Sequence, residues 1–373
     1  MPAQYAAIAP TIRQLFASRG AELVEVATVQ PADPFIDVMG EGQRYYFFLT
    51  ESDIHETLCL RPDFTIPVCL EHLRCGATIP RRYAYFGETF SKRPASRDGL
   101  LQAGLVDIGD PDAATADARS IADAYALLEG TLFGHDYATI IGDQAIFKAV
   151  LAALEVPGRW QKRLIRAFGA PVRLEAMFAK LAAPMPERYI DEALKSFLAR
   201  GHSDALTAYI KDIMSLGSVS PTAGRPPEEI ATRLTETIEL ASARVPQATF
   251  DVLKSFLSIR VPLQRAPDEV ARFAKSAGLT LGVAFDNFVK RTEVIDKQAV
   301  PLQEVTWDAS FGRPLDHYTG LVFEIQVPGN DRPLASGGRY DCLATLLGAP
   351  QPIPAVGFSV LLTEIDQSRE RMQ

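Results

Sequence analysis

Strand-like stretches lie toward both ends of this chain, with a long helix-rich middle between them. From about residue 20 to 110 come "GAELVEVATVQP", "QRYYFFLTE", "TLCLRP", "RRYAYFGETF" and "LLQAGLVDIG", short runs rich in β-branched or aromatic residues and punctuated by Gly and Pro. From about 303 onward the same texture returns in "QEVTWDASFG", "HYTGLVFEIQV" and "PLASGGRYD". Strands this far apart can bury a common face only if the intervening chain leaves the sheet and comes back. The pattern predicts an α+β fold, an antiparallel sheet completed by late strands and flanked by helices.

The middle, from about 113 to 295, opens with "DAATADARSIADAYALLEGTLF", whose apolar positions recur at three and four. One strand-like run, "YATIIG", precedes the helix "DQAIFKAVLAALEV". The stretch "GSVSPTAGRPPEE" is the clearest flexible break, and its Pro-Pro-Glu-Glu suits the first turn of a helix. The expected organisation is one core domain over 1–373 with a helical insertion at 157–265. There is no repeat of fixed period, which removes solenoids and propellers. Near the end, "PAVGFSVLLTEI" reads as a helix with Phe358, Leu361, Leu362 and Ile365 on one buried stripe.

Composition removes several classes of function. With 47% hydrophobic and 23% charged residues the chain suits a folded globular protein. No apolar run approaches the ~18 residues of a membrane span. The start, "MPAQYAAIAPTIRQLFASRG", spaces Ile8, Ile12, Leu15 and Phe16 like a helix face and lacks a signal peptide's basic and apolar regions. No membrane association and a cytoplasmic location are expected. The 4 cysteines form no CxxC pair and the 5 histidines no H-x-x-x-H, so reduced, mostly buried thiols and no metal are expected. The net charge of −8 argues against a free-standing nucleic-acid binder. GxGxxG after a strand, GxxxxGK[ST] and GxSxG are all absent, so dinucleotide, P-loop and serine-hydrolase readings lose their usual support and no cofactor is expected.

Four polar stretches remain: "LRPDFTIPV", "RRYAYFGETFSKRPASRDGLLQAGLVDIG", "GRPLDHYTGLVFE" and "ASGGRYDCL". With "PAVGFSVLLTEI", they resemble class II aminoacyl-tRNA synthetases, most closely histidyl-tRNA synthetase, in the family's order and over nearly the whole chain. The resemblance implies a six-stranded antiparallel sheet flanked by helices, a homodimer formed around "VATVQP", and a pocket for histidine. Carried over residue by residue, Asp63 and Thr65 lie near the amino group, Gln102 and Arg313 belong to the pocket, and Tyr318 and Tyr340 shape the imidazole end. The chemistry suits a zwitterion, which wants a carboxylate for its ammonium, an Arg or amide for its carboxylate and a phenol for a ring nitrogen. Each residue also has a plain structural reading: Asp63 and Thr65 as a turn or helix cap, Arg313 as a loop arginine, Asp316 as a turn former, His317 and the two tyrosines as core.

The departures matter as much. A synthetase's ATP-holding arginine aligns with Ser91, and the second one falls in Leu361, Leu362, Thr363 and Glu364, where a negative charge stands. The chain also stops soon after, so no anticodon-binding domain and no tRNA partner are expected. This combination resembles the regulatory subunits of ATP phosphoribosyltransferase, which implies a non-catalytic partner of a short-form catalytic subunit in histidine biosynthesis, with histidine as a feedback effector. An aberrant histidine-activating ligase using Lys92 or Arg93, and a free histidine sensor, stay open. Val106 aligns with a family carboxylate, and Asp107 points to the other face of its strand. The basic residues Arg81, Arg82, Lys92, Arg93 and Arg97 read either as a solvated rim or as a patch for an acidic partner or a phosphate.

Overall fold

The computed structural model describes residues 3–53, 55–92, 99–131, 136–182, 203–216, 226–242, 245–298, 300–313, 317–330 and 332–365. The strands are β1 (Glu22–Leu23), β2 (Val29–Pro31), β3 (Leu49–Glu51), β4 (Thr57–Leu60), β5 (Arg81–Thr89), β6 (Leu100–Ile108), β7 (Ala138–Asp143), β8 (Arg260–Pro262), β9 (Val305–Asp308), β10 (Leu321–Gln326), β11 (Ala335–Arg339) and β12 (Ala355–Leu361). Among the described residues nine of them form one sheet, in the order β1-β5-β6-β12-β11-β10-β7-β9-β8. The remaining three form a small sheet, β2-β4-β3.

The run from β5 to β7 is the expected six-stranded antiparallel sheet, but the whole is mixed: β1 joins β5 and β9 joins β7 in parallel. Both parallel partners reach their places after a crossover. β9 follows β7 by more than 150 residues that include several helices, as parallel pairing requires. Sequence periodicity carries no sign of strand direction, so an antiparallel expectation could not anticipate these edges.

Side-chain alternation divides the interior in two. Leu101, Ala103 and Leu105 of β6 enter the larger core with helices Ala3–Ser18, Ala113–Thr131, Gln144–Ala153 and Gly282–Asp296. Val106 and Ile108 enter the other, with Phe35 and Ile36 of helix Asp33–Met39, Ile66 and Cys69 of helix Thr65–Arg74, and Leu343. Asp143 starts helix Gln144–Ala153 as its N-cap, accepting from the backbone N–H groups of Ala145 and Ile146 at 2.7 and 3.2 Å.

Two strand expectations are corrected. "QRYYFFLTE" is strand only over Leu49–Glu51. A 3₁₀ turn, Glu41–Tyr46, takes up its first half after Gly40, whose φ of +89° ends the preceding helix. "PAVGFSVLLTEI" is not a helix through Phe358: β12 runs to Leu361, and helix begins only at Leu362. A strand bonded on both sides, to β6 and β11, satisfies every backbone group of that segment, and the alternation sends Phe358 and Val360 into the larger core. Leu362 and Ile365 join the same core from the helix that follows.

Within 157–265 the described elements are helices Gly158–Ala167, Pro171–Ala182, Ser203–Leu216, Pro227–Ser242 and Gln247–Leu257, then β8, which returns to the main sheet. Glu228 and Glu229 stand in the first turn of helix Pro227–Ser242, while most of "GSVSPTAGRPPEE" lies outside the described residues. Cys59 and Cys69 are buried, but Cys75 and Cys342 are exposed. No helix among the described residues is long and apolar enough to cross a membrane.

Candidate functional site

A cavity of about 460 Å³ opens on the side of the sheet that carries the smaller core. That volume suits a small metabolite. All six residues singled out from the sequence line it: Asp63, Thr65, Gln102, Arg313, Tyr318 and Tyr340. Asp316 lies outside the described residues. Residues that the sequence did not single out also contribute, among them Gln43, Tyr46 and Ser336.

Beneath the tyrosines of the cavity lie small residues on three neighbouring strands. Val106, Gly357 and Gly338 lie in register across β6, β12 and β11. A Cβ on Gly357 would fall 2.5 Å from the Tyr340 hydroxyl, and one on Gly338 would fall 2.8 Å from the Tyr318 ring. Two residues along β6, a Cβ on Gly104 would fall 2.4 Å from the Tyr85 hydroxyl, which donates to the Phe358 carbonyl at 3.1 Å. Three phenols can therefore lie flat on the sheet only because these positions are glycine. Burial pushes the phenols of Tyr85, Tyr318 and Tyr340 up from their ordinary range, so all three stay protonated and able to donate.

Asp63 sits at the start of helix Thr65–Arg74. Its carboxylate accepts the Ile66 N–H at 3.2 Å and the Thr65 hydroxyl at 3.4 Å. Asp63 thus braces the turn before the helix and also lines the cavity. Burial pushes its carboxyl up, and the backbone donors oppose that shift. Across the cavity Arg313 places Nε 3.7 Å from Glu324 Oε1. His317 leans on Tyr318 and Tyr340 with ring centroids at 4.7 and 6.1 Å. Burial, helped by the nearby positive charge of Arg313, drops its pKa to about 4, so the ring is neutral at physiological pH.

Two arginines of the quoted motifs are braces rather than ligand contacts, which residue type alone could not reveal. Arg61 of "LRPD" donates to the carbonyls of Glu88 and Val26 at 2.9 and 2.6 Å and lies 4.3 Å over the Phe64 ring. Arg339 of "SGGRYD" donates to Asp117 at 2.8 Å, to Asp341 at 2.8 Å and to the Ala113 carbonyl at 3.1 Å. Asp117 also takes Arg291 at 3.2 Å, and Arg291 reaches Asp143. This network pins Tyr340, the next residue, over Gly357. The Thr319 N–H donates to the Arg339 carbonyl at 2.8 Å, so the two motif strings hold each other.

Ser91 and Glu364, the two departures read from the sequence, are both among the described residues. Ser91 lines the cavity. Glu364 is buried, with its carboxylate 2.7 Å from Arg332 Nη1. Asp107 lies on the far face of β6 from the cavity, paired with Arg82 at 2.5 Å and Arg119 at 3.0 Å. The basic cluster is dispersed: Arg81 pairs with Glu22 at 3.1 Å, Arg82 with Asp107 and Asp123, and Lys92 Nζ lies 5.8 Å from the Phe48 ring centre. Arg93 and Arg97 lie outside the described residues.

The family model described as histidyl-tRNA synthetase matches residues 2–223 and 228–365. An ATP phosphoribosyltransferase regulatory subunit of Chelativorans sp. is 49% identical over 365 residues, covering 98% of each chain. The chain belongs to the histidyl-tRNA synthetase-like family of ATP phosphoribosyltransferase regulatory subunits. A relative of the same name from Mesorhizobium japonicum is 49% identical over 370 residues and 99% of each chain. Among solved structures, one from Bacillus halodurans C described as an ATP phosphoribosyltransferase regulatory subunit/histidyl-tRNA synthetase superposes with a TM-score of 0.67 at 20% identity. It covers 99% of this chain and 80% of that one. At that identity the superposition speaks for the fold. Family membership accounts for the synthetase-like fold that surrounds this cavity.

Proposed function

We propose that this chain is a non-catalytic cytoplasmic subunit that assembles with a short-form catalytic ATP phosphoribosyltransferase and is required for its activity in the first step of histidine biosynthesis. In this reading residues 1–373 form one synthetase-like core domain carrying a helical insertion at 157–265. The chain pairs as a homodimer, binds no tRNA, and takes histidine as an effector in the cavity of Asp63, Thr65, Gln102, Arg313, Tyr318 and Tyr340. The observation that carries the reading is a cavity of about 460 Å³ lined by all six of those residues together with the uncharged Ser91. Ser91 offers a phosphate no positive charge, and Glu364 turns its carboxylate to Arg332. At an effective dielectric of ~20 and a separation of ~5 Å, each charge–charge contact is worth about 3 kcal/mol, so the missing attraction at each position weakens phosphate binding by about that much, while Arg332 offsets the charge of Glu364.

Regulation then requires that histidine or the catalytic partner bind one state of the assembly better than another. The test is to mix this chain with a short-form catalytic subunit and follow phosphoribosyl transfer from phosphoribosyl diphosphate to ATP, with and without histidine. Complex formation and a rise in rate are expected. No complex and no gain would refute assembly and activation, and a rate indifferent to histidine would refute the effector role alone. Histidine-dependent exchange of pyrophosphate into ATP is expected to be absent.

A further inference from the structure

Residues 157–174 hold five basic side chains, Arg159, Lys162, Arg163, Arg166 and Arg173, and no acidic one, in a chain whose net charge is −8. They occupy helix Gly158–Ala167 and the first turn of helix Pro171–Ala182. Trp160, Leu164, Ala167 and Phe168 anchor this corner in the larger core, so its outer face rides on a fixed base. Lys162, Arg163, Val172 and Arg173 stand outward, Val172 with 86% of its surface exposed.

Lys162, Arg163 and Arg173 have no ion pair among the described residues. Glu175, the next acid along the chain, is matched by Lys254 at 4.0 Å. Helix Pro227–Ser242 packs against helix Gly158–Ala167, but its Glu228 and Glu229 are engaged by Lys211 at 2.7 Å and Arg233 at 2.9 Å. The same corner also touches the cavity wall. A Cβ on Gly169 would fall 2.0 Å from the Gly312 carbonyl oxygen, and one on Gly312 would fall 2.3 Å from the Phe168 ring. Gly312 precedes Arg313, so a body held on this face is one packing contact from a residue that lines the cavity.

We infer that the outer face of helix Gly158–Ala167, with the turn at Val172 and Arg173, is the docking surface for a carboxylate-rich face of the catalytic partner. This rests on the assembly reading above and adds the surface that it leaves open. An acidic chain repels an acidic partner except where positive charge is gathered, so the patch sets both the orientation and the rate of approach. Val172 supplies an apolar centre inside a charged rim, as protein interfaces do. A nucleic acid fits this face poorly. A few cations cover few phosphates against the field of the whole chain, and Trp160, the aromatic ring of this helix, is buried and unable to stack on a base.

The test is surface plasmon resonance of the full chain against a short-form catalytic subunit at ~50 and ~300 mM salt, where the wild type should bind more weakly as salt rises. Lys162→Glu/Arg163→Glu/Arg173→Glu should raise Kd about 30-fold at the lower salt, chiefly through slower association, and lose most of the salt dependence. Arg13→Glu/Lys275→Glu/Lys297→Glu makes the same change of net charge at exposed positions on other elements and should shift Kd by less than about threefold. Thermal melts check that each variant folds. Lys162→Ala/Arg163→Ala/Arg173→Ala removes the cations without adding repulsion and should still raise Kd about tenfold, so it decides the matter if the charge-reversed variant melts early. Patch variants that bind like the wild type, or an equal loss in the control, overturn the surface and leave assembly standing. A wild-type chain that forms no complex overturns both. Retention of labelled tRNA by the wild type but not by the patch variants would give the face to nucleic acid and overturn the assignment to a protein partner.

Discussion

Arg339→Met should unsettle the protein more than its conservative volume suggests. Arg339 and Arg291 share the buried space between sheet and helices with Asp117 and Asp143, two positive and two negative groups whose side chains are between 1% and 7% exposed. Removing one arginine leaves Asp117 and Asp143 to divide the single charge of Arg291. Breaking a buried pair in this way costs about 3–5 kcal/mol, because a charge is left without compensation. For 373 residues unfolding as one unit, that corresponds to a fall in Tm of about 4–6 °C. The double variant Asp117→Leu/Arg339→Met leaves Arg291 with Asp143, a neutral pair. It should therefore cost less than either single change. Urea unfolding followed by the fluorescence of Trp160 and Trp307, both buried, measures all three variants. A single-variant cost below about 1 kcal/mol, or a double variant whose cost equals the sum of the two, would refute the charge-balance reasoning.

Other expectations follow from the same geometry. Gly357→Ala should place a methyl group 2.5 Å from the Tyr340 hydroxyl and 2.6 Å from the Leu105 carbonyl. That overpacking should cost about 1–3 kcal/mol in urea unfolding and abolish ligand binding in the cavity. His317 has a folded pKa of about 4 against 6.5 when exposed, so between those values the unfolded chain binds more protons and stability falls as pH is lowered. Urea midpoints between pH 7 and 4.5 should drop less steeply in His317→Phe than in the wild type. Glu364→Arg should not restore nucleotide binding, since it places a second cation against Arg332 and leaves Ser91 unchanged. Equilibrium dialysis with ATP checks this, and clear retention would count against the account of the lost site.

The cavity was legible from the sequence to an unusual degree, because the residues lining it lie in short strings whose order is retained. "LRPDFT", "LDHYTG" and "SGGRYD" supplied Asp63, Thr65, Tyr318 and Tyr340, and the strand of Gln102 supplied the next wall. His317 was visible too, but as a lone histidine beside aromatic residues, and its neutral state depends on Arg313 and on burial. Arg61 and Arg339 sit in the same strings as the cavity residues, yet their partners Val26, Glu88, Asp117 and Ala113 are remote in sequence.

By itself the sequence determined the α+β class, most strand positions, and the order of the motif strings that carry Ser91 and Glu364. All of these depend on local pattern or residue identity. Which strands run parallel, where β12 gives way to helix, and how Glu364 is neutralised were decided only by tertiary structure. Such features depend on partners brought together across the fold: β6 and β11 on either side of β12, and Arg332 beside Glu364. Period-two and period-three-or-four patterns overlap in a short apolar run such as "VGFSVLL", and there the hydrogen bonds of neighbouring strands settle the outcome.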